Sequence, residues 1–186
     1  MEVLSQRLIR AINLATVLHD GQYRKASGIP YSSHLFSVMH LLNHYDAGEE
    51  LLIAGLLHDV IEDQPDRYSF AEMTSDFGPK VTSLVQAVTK NNDLASWQEK
   101  ADDYLLRIKQ APSEAVLLCL ADKYHNLLST VMDYEQRGDD VWQRFKGGKE
   151  RQMWWHHSIL EIANDRLPDH DLTIQYQELI RQLPTS

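Results

Sequence analysis

Leu51-Leu52-Ile53-Ala54-Gly55-Leu56-Leu57-His58-Asp59-Val60-Ile61-Glu62-Asp63 runs seven apolar residues straight into His-Asp and then into two further carboxylates. A core helix has no use for such a cluster, because a buried imidazole or ionised carboxylate costs on the order of several kcal/mol unless it is paired or bound to metal. On a helix, His58 and Glu62 are four residues apart, as are Asp59 and Asp63, so the four side chains share adjoining faces of one turn. Three acids and an imidazole so close together repel one another without a cation. The stretch therefore reads as a buried helix that ends in a metal-dependent hydrolase centre.

Outward from it, helical periodicity dominates and strand alternation is scarce. The pattern predicts helices over Val3 to Asp20, His34 to Tyr45, Glu49 to Glu62, Ser69 to Phe77, Pro79 to Thr89, Trp97 to Gln110, Ser113 to Glu135, Lys149 to Asp165 and Leu172 to Gln182. Ser32 and Ser33, Gly48, Gly78-Pro79 and Pro112-Ser113-Glu114 supply starts, while Gly138 and Gly147-Gly148 mark loops. No repeat, low-complexity tract or domain linker interrupts the chain. The expectation is an all-α fold, a single domain over residues 1–186 with a bundle of about nine helices.

Composition sets limits on function. The 186 residues are 43% apolar and 24% charged, ordinary for a globular protein. The apolar runs Leu51 to Leu57 and Ala115 to Ala121 are too short to span a bilayer, and the N-terminus lacks the apolar core of a signal peptide. The single cysteine, Cys119, excludes an internal disulfide framework and is expected to be buried and inert. A cytoplasmic enzyme with no membrane partner follows. The net charge of −9 argues against a nucleic-acid partner. It also means that a phosphorylated substrate needs a metal and a local basic cluster to reverse the field.

One loop supplies such a cluster: Gly21-Gln22-Tyr23-Arg24-Lys25-Ala26-Ser27-Gly28-Ile29-Pro30-Tyr31. Beside it, His34 opens a helix, and Asp122 lies in Leu120-Ala121-Asp122-Lys123-Tyr124-His125-Asn126. Asp122 follows an apolar run in which a lone acid would be costly. Two imidazoles and two carboxylates suit Mn²⁺, Fe²⁺ or Zn²⁺, whereas Ca²⁺ wants six to eight oxygens. The dipeptide His-Asp is weak by itself, since His19-Asp20 repeats it. His40, His44, His125, His156, His157 and His170 read individually as surface or satisfied core residues.

The order His34, His58-Asp59, Asp122 resembles the HD superfamily of metal-dependent phosphohydrolases. More closely, the chain is similar to the hydrolase domain of RelA/SpoT-type alarmone enzymes and their stand-alone small relatives of the metazoan SpoT-homologue kind. The resemblance covers about Ala11 to Asp165. It is carried by His19-Asp20-Gly21-Gln22-Tyr23-Arg24-Lys25, Gly28-Ile29-Pro30-Tyr31-Ser32-Ser33-His34, His58-Asp59-Val60-Ile61-Glu62-Asp63, Val88-Thr89-Lys90 and Leu120-Ala121-Asp122-Lys123-Tyr124-His125-Asn126-Leu127. It implies an HD-domain helical bundle in which His34, His58, Asp59 and Asp122 hold one metal, Mn²⁺ by family habit. Glu62 and Asp63 would orient and deprotonate the attacking water. Arg24 and Lys25 would face the guanine and its ribose phosphates, with Asn126 at the nucleotide. The implied substrate is guanosine tetra- or pentaphosphate, cut at the 3′ position to GDP or GTP plus pyrophosphate. Two departures stand out: Leu35 follows the first ligand His where the family has Pro, and Tyr124 takes a Leu position.

A second basic segment, Val141 to Trp155, holds Arg144, Lys146, Lys149 and Arg151 among three tryptophans. Lys149 or Arg151 is expected at substrate phosphate, against the alternative that the tryptophans are core and the cations solvated. Residues 166–186 are expected to form a terminal helix that covers the core or makes a homodimer contact. No synthetase module is visible, so the expectation is a dedicated hydrolase. The same centre could instead serve a nucleoside 5′-monophosphate or NADPH phosphatase, and a non-catalytic nucleotide sensor is the alternative of another class.

Overall fold

A computed structural model describes residues 4–25 and 27–184. Its helices are α1 (Gln6–Leu18), α2 (Ser32–His44), α3 (Glu49–Leu57), α4 (Val60–Asp63), α5 (Phe70–Phe77), α6 (Pro79–Val88), α7 (Trp97–Gln110), α8 (Ser113–Arg137), α9 (Gly148–Arg166) and α10 (Asp171–Arg181), with a 3-10 segment at Gly138–Arg144. The all-α expectation holds, and among the described residues the one strand-like feature is an isolated bridge between Tyr23 and Pro30. Val3, where the periodicity starts its first helix, lies outside the described residues, as does Ala26.

Local chemistry explains most boundaries. Ser5 caps α1 by accepting from the Leu8 N–H. Ser69 with Glu72 and Ser96 with Glu99 form reciprocal capping boxes at the starts of α5 and α7. Pro79 sits in the first turn of α6, where a missing N–H costs nothing. Residues Leu51 to Leu57 of α3 are buried all round. That helix is the axis of the molecule, packed against α1, α2, α6 and α8. The α8 helix backs onto α2, α6, α9 and α10, and the buried apolar residues form one cluster from Ala11 to Leu183.

The structure corrects the expectation in one place that matters. The helix predicted over Glu49 to Glu62 is two helices, interrupted at His58-Asp59. His58 turns its Nδ1 back onto the Gly55 carbonyl, 2.8 Å away, and so competes for an acceptor the helix would use next. Asp59 then starts a new turn, accepting from the Asp63 N–H. Carboxylates that one continuous helix would spread by fixed rotations are instead re-aimed by the break.

The terminal segment forms a helix that covers the core. Leu172, Tyr176, Leu179 and Ile180 of α10 are buried against α8 and α9. No helix among the described residues is long and apolar enough to cross a membrane.

Close approach of α2 and α3 depends on Gly55. A Cβ there would stand 2.7 Å from Leu42 Cδ1 and 3.5 Å from Met39 Cα, and Leu42 is fully buried. Alanine would gain about 1 kcal/mol of helix propensity and incur about 1–3 kcal/mol of overpacking. Gly55→Ala is therefore expected to lower Tm by a few degrees in calorimetry; a raised Tm would show that Leu42 yields freely.

Candidate metal-dependent active site

Three elements converge beneath the loop that joins α1 to α2. His34 comes from the first turn of α2, His58 and Asp59 from the α3–α4 break, and Asp122 from the middle of α8. His34 Nε2 lies 3.6 Å from Asp59 Oδ2 and 3.2 Å from Asp122 Oδ1. His58 Nε2 lies 3.1 Å and 3.7 Å from the same two oxygens. Donors held about 2.1 Å from one ion stand roughly 3.0–3.4 Å apart at right-angled to tetrahedral spacing; the two shorter of these contacts fall in that range and the two longer lie just outside it. His34, His58 and Asp59 satisfy the geometry of a metal-holding group on their own.

The imidazoles are oriented for that use. Both Nε2 atoms are fully buried and make no aligned hydrogen bond, despite the nearby acids. An orphaned buried nitrogen is costly unless something else takes its lone pair. The Nδ1 side of each ring is occupied: His58 Nδ1 on the Gly55 carbonyl, His34 Nδ1 on His125 Nδ1 at 2.8 Å. Burial above all, with the Arg24 charge nearby, pushes His125 down to about 3, so it is neutral. A neutral imidazole can accept at Nδ1, and in the tautomer where His125 does so the lone pair of His34 is at Nε2, the form a ligand needs. The donors present fit a divalent transition metal.

The carboxylates are gripped from behind. The Tyr31 hydroxyl donates to Asp59 Oδ2. Burial and the Asp59 charge push Tyr31 upward, so it stays a phenol. Lys123, itself 8% exposed, is ion-paired to Asp122 Oδ2, and Asn126 Nδ2 donates to Asp122 Oδ1. Burial opposes the charge on Asp122, but Lys123 and the imidazoles outweigh it and hold the carboxyl well below the usual range. Asp59 is likewise depressed, by His58 and His34 against burial.

Glu62 and Asp63 do not crowd the same point, as the one-turn geometry predicted. Glu62 accepts from the Lys90 N–H and ammonium, each at 3.2 Å. Asp63 Oδ2 accepts from Gln22 at 2.7 Å, and Gln22 in turn meets His19 Nδ1 at 2.8 Å. Burial raises the Asp63 carboxyl above its ordinary value. The repulsion that the sequence implied is relieved by a lysine and an amide from other segments.

The basic loop is tied to this cluster through Arg24. Its guanidinium donates to Asn126 Oδ1 at 3.2 Å from both terminal nitrogens and to Ser129 Oγ at 3.3 Å. Arg24, Asn126 and Asp122 thus form one hydrogen-bonded line. Lys25 is exposed on the same loop. Arg151 lies 4.8 Å over the Trp97 ring, and Lys149 is half-buried at the start of α9. Trp155 is half-buried against Tyr104, whereas Trp154 is exposed at the surface.

The sequence profile of the HD domain family matches residues 11–151. The chain belongs to the HD domain family. All four candidate ligands of this HD domain fall inside the matched span. It is 36% identical over 127 residues to the bifunctional (p)ppGpp synthase/hydrolase SpoT of Escherichia coli K12, an alignment covering 66% of this chain and 18% of that one. It is 36% identical over 128 residues to the guanosine-3′,5′-bis(diphosphate) 3′-pyrophosphohydrolase MESH1 of Danio rerio, covering 64% of this chain and 67% of the relative. The chain therefore spans under a fifth of the length of the first of these relatives. A solved metazoan orthologue of SpoT, described as hydrolysing ppGpp and playing a role in starvation responses, superposes with a TM-score of 0.80 at 26% identity, over 98% of both chains.

Tyr31, Lys90, Lys123, His125 and Gln22 touch the candidate ligands or carboxylates, yet none was assigned a task from sequence. Only Lys123 carried a local signal, since it adjoins an acid at the end of an apolar run. The Cys119 expectation holds: burial pushes the thiol up to about 11, and it accepts from the Tyr104 hydroxyl at 3.3 Å.

Proposed function

We propose that this HD domain is a metal-dependent pyrophosphohydrolase of guanosine 3′,5′-bis(diphosphate), releasing pyrophosphate from the 3′ position and leaving GDP, or GTP from the pentaphosphate. The observation that carries it is the pair of orphaned, buried Nε2 atoms facing Asp59 and Asp122, with Arg24 hydrogen-bonded into the same cluster. The names of the E. coli and zebrafish relatives support the substrate.

In this assignment His34, His58, Asp59 and Asp122 hold one divalent ion, which we take to be Mn²⁺. When bound, such an ion lowers the pKa of water towards neutrality and draws charge from a phosphate oxygen. Glu62 accepts the proton of the attacking water at its carboxylate, kept in place by Lys90. Asp63, fixed by Gln22, orients that water. Arg24 is poised to stack on the base or fork to a phosphate, exchanging its contacts with Asn126 and Ser129 for the nucleotide. Lys25 adds charge at the loop rim, and Lys149 and Arg151 serve the outer phosphates from α9. Arg24, Lys25 and Lys90 supply the local positive field that a chain of net charge −9 needs for a polyanion. A guanine-nucleotide substrate and an unpaired buried thiol fit a cytoplasmic setting.

The deciding experiment is turnover of guanosine tetraphosphate with Mn²⁺, products resolved by ion-exchange chromatography. GDP plus pyrophosphate is expected. Intact tetraphosphate together with orthophosphate release from NADPH or a nucleoside 5′-monophosphate would replace the substrate assignment and keep the centre.

His125 bears on the centre alone. Removing an outer partner of a ligand imidazole typically costs about 10–100-fold in metal affinity. His125→Ala is expected to weaken Mn²⁺ by that range, read by titration calorimetry; unchanged affinity would show that His34 needs no such support.

A further inference from the structure

Lys123 is the buried charge that the proposed chemistry leaves without a task. Lysine is almost never fully buried unless paired, and a cation beside a divalent metal site works against binding of the ion. Yet the ammonium is boxed in: it pairs with Asp122 Oδ2, lies 5.3 Å over the Tyr104 ring and 5.8 Å over the Trp155 ring. Tyr104 is itself fully buried and anchored on Cys119. Rotation of the Asp122 carboxylate is thereby opposed, so Oδ1 alone faces His34 and His58.

We propose that Lys123 is a positioning residue that confines Asp122 to a single oxygen at the metal site, loosening the hold on the ion in exchange for an open position where water and substrate meet. The proposal rests on the metal centre argued above. A carboxylate with both oxygens free would offer a second donor and a full negative charge. The ion would then be bound more tightly and be less able to accept water or a phosphate oxygen.

The test is Lys123→Met, which keeps the unbranched stem and removes the charged head, with Lys123→Gln as a second neutral variant and Lys123→Arg as the charged one. Mn²⁺ affinity is read from the resonance signal of the free aquo ion, alongside kcat on guanosine tetraphosphate and a circular dichroism check of folding. The neutral variants are expected to bind Mn²⁺ at least about tenfold tighter, since a like charge a few ångströms away is gone, while kcat falls by roughly tenfold or more. Lys123→Arg is expected to return both towards the parent. Folded neutral variants that lose metal and activity together, or change neither, overturn the proposal, as does a folded Lys123→Arg that loses the ion. If the parent protein itself binds no Mn²⁺, the metal centre fails first, a result distinct from any of these.

Discussion

Asp59→Ala is expected to abolish metal binding and turnover together. Asp59 contributes the oxygen nearest to His58 Nε2, and the same atom lies 3.6 Å from His34 Nε2. No other acid in the cluster can replace it, because Asp122 Oδ2 is committed to Lys123, Glu62 to Lys90 and Asp63 to Gln22. Loss of a direct ligand should exceed the roughly 10–100-fold effect of an outer partner. Several kcal/mol of charge stabilisation by the ion correspond to about 10³-fold or more in rate. Ligand that binds only the folded state raises Tm by mass action, so the parent should show a Mn²⁺-dependent Tm rise that Asp59→Ala lacks. The variant's Tm without metal should fall, because the deletion removes the attraction that holds the Asp59 carboxyl low and leaves the Tyr31 hydroxyl without its acceptor. A variant that still gains stability from Mn²⁺ would move Asp59 out of the ligand set.

Glu62→Gln should separate the two properties that Asp59→Ala removes together. The amide oxygen of Gln can still accept from the Lys90 N–H, so the side chain keeps its place. It cannot accept a proton at neutral pH. The expected loss in kcat is roughly 10²–10⁴-fold, the usual worth of a general base, with the Mn²⁺-dependent Tm rise intact. Full activity would remove Glu62 from proton transfer and make Asp63 the candidate, since burial raises its carboxyl and so its readiness to hold a proton. Loss of the Tm rise would instead make Glu62 a ligand.

Much of this centre was legible from the chain. The apolar run into His58-Asp59 marked a buried helix end, and the apolar run ahead of Asp122 marked an acid that needed a partner. Both inferences rest on the cost of burying charge, which depends on residue type more than on geometry. The same logic misjudged how the four-residue block works, because it assumed an unbroken helix and a single cation to settle all the acids. His58 instead bonds Gly55 three residues back, the helix breaks, and each acid is met by a different segment. Arg151 shows the converse: the sequence sets it near Trp154 and Trp155, and the ring it covers is that of the distant Trp97.

Helix positions, the all-α class and the identities of the candidate ligands were determined by the amino-acid order alone, because periodicity, caps and the cost of burial act over a few residues. Which partner each ligand takes was decided only by the tertiary structure. Tyr31 meets Asp59 across 28 positions, Lys90 meets Glu62 across 28, His125 meets His34 across 91 and Arg24 meets Asn126 across 102. Those pairings follow from how α2, α6 and α8 pack around α3, and packing is a property of whole apolar faces that no local pattern of residues encodes.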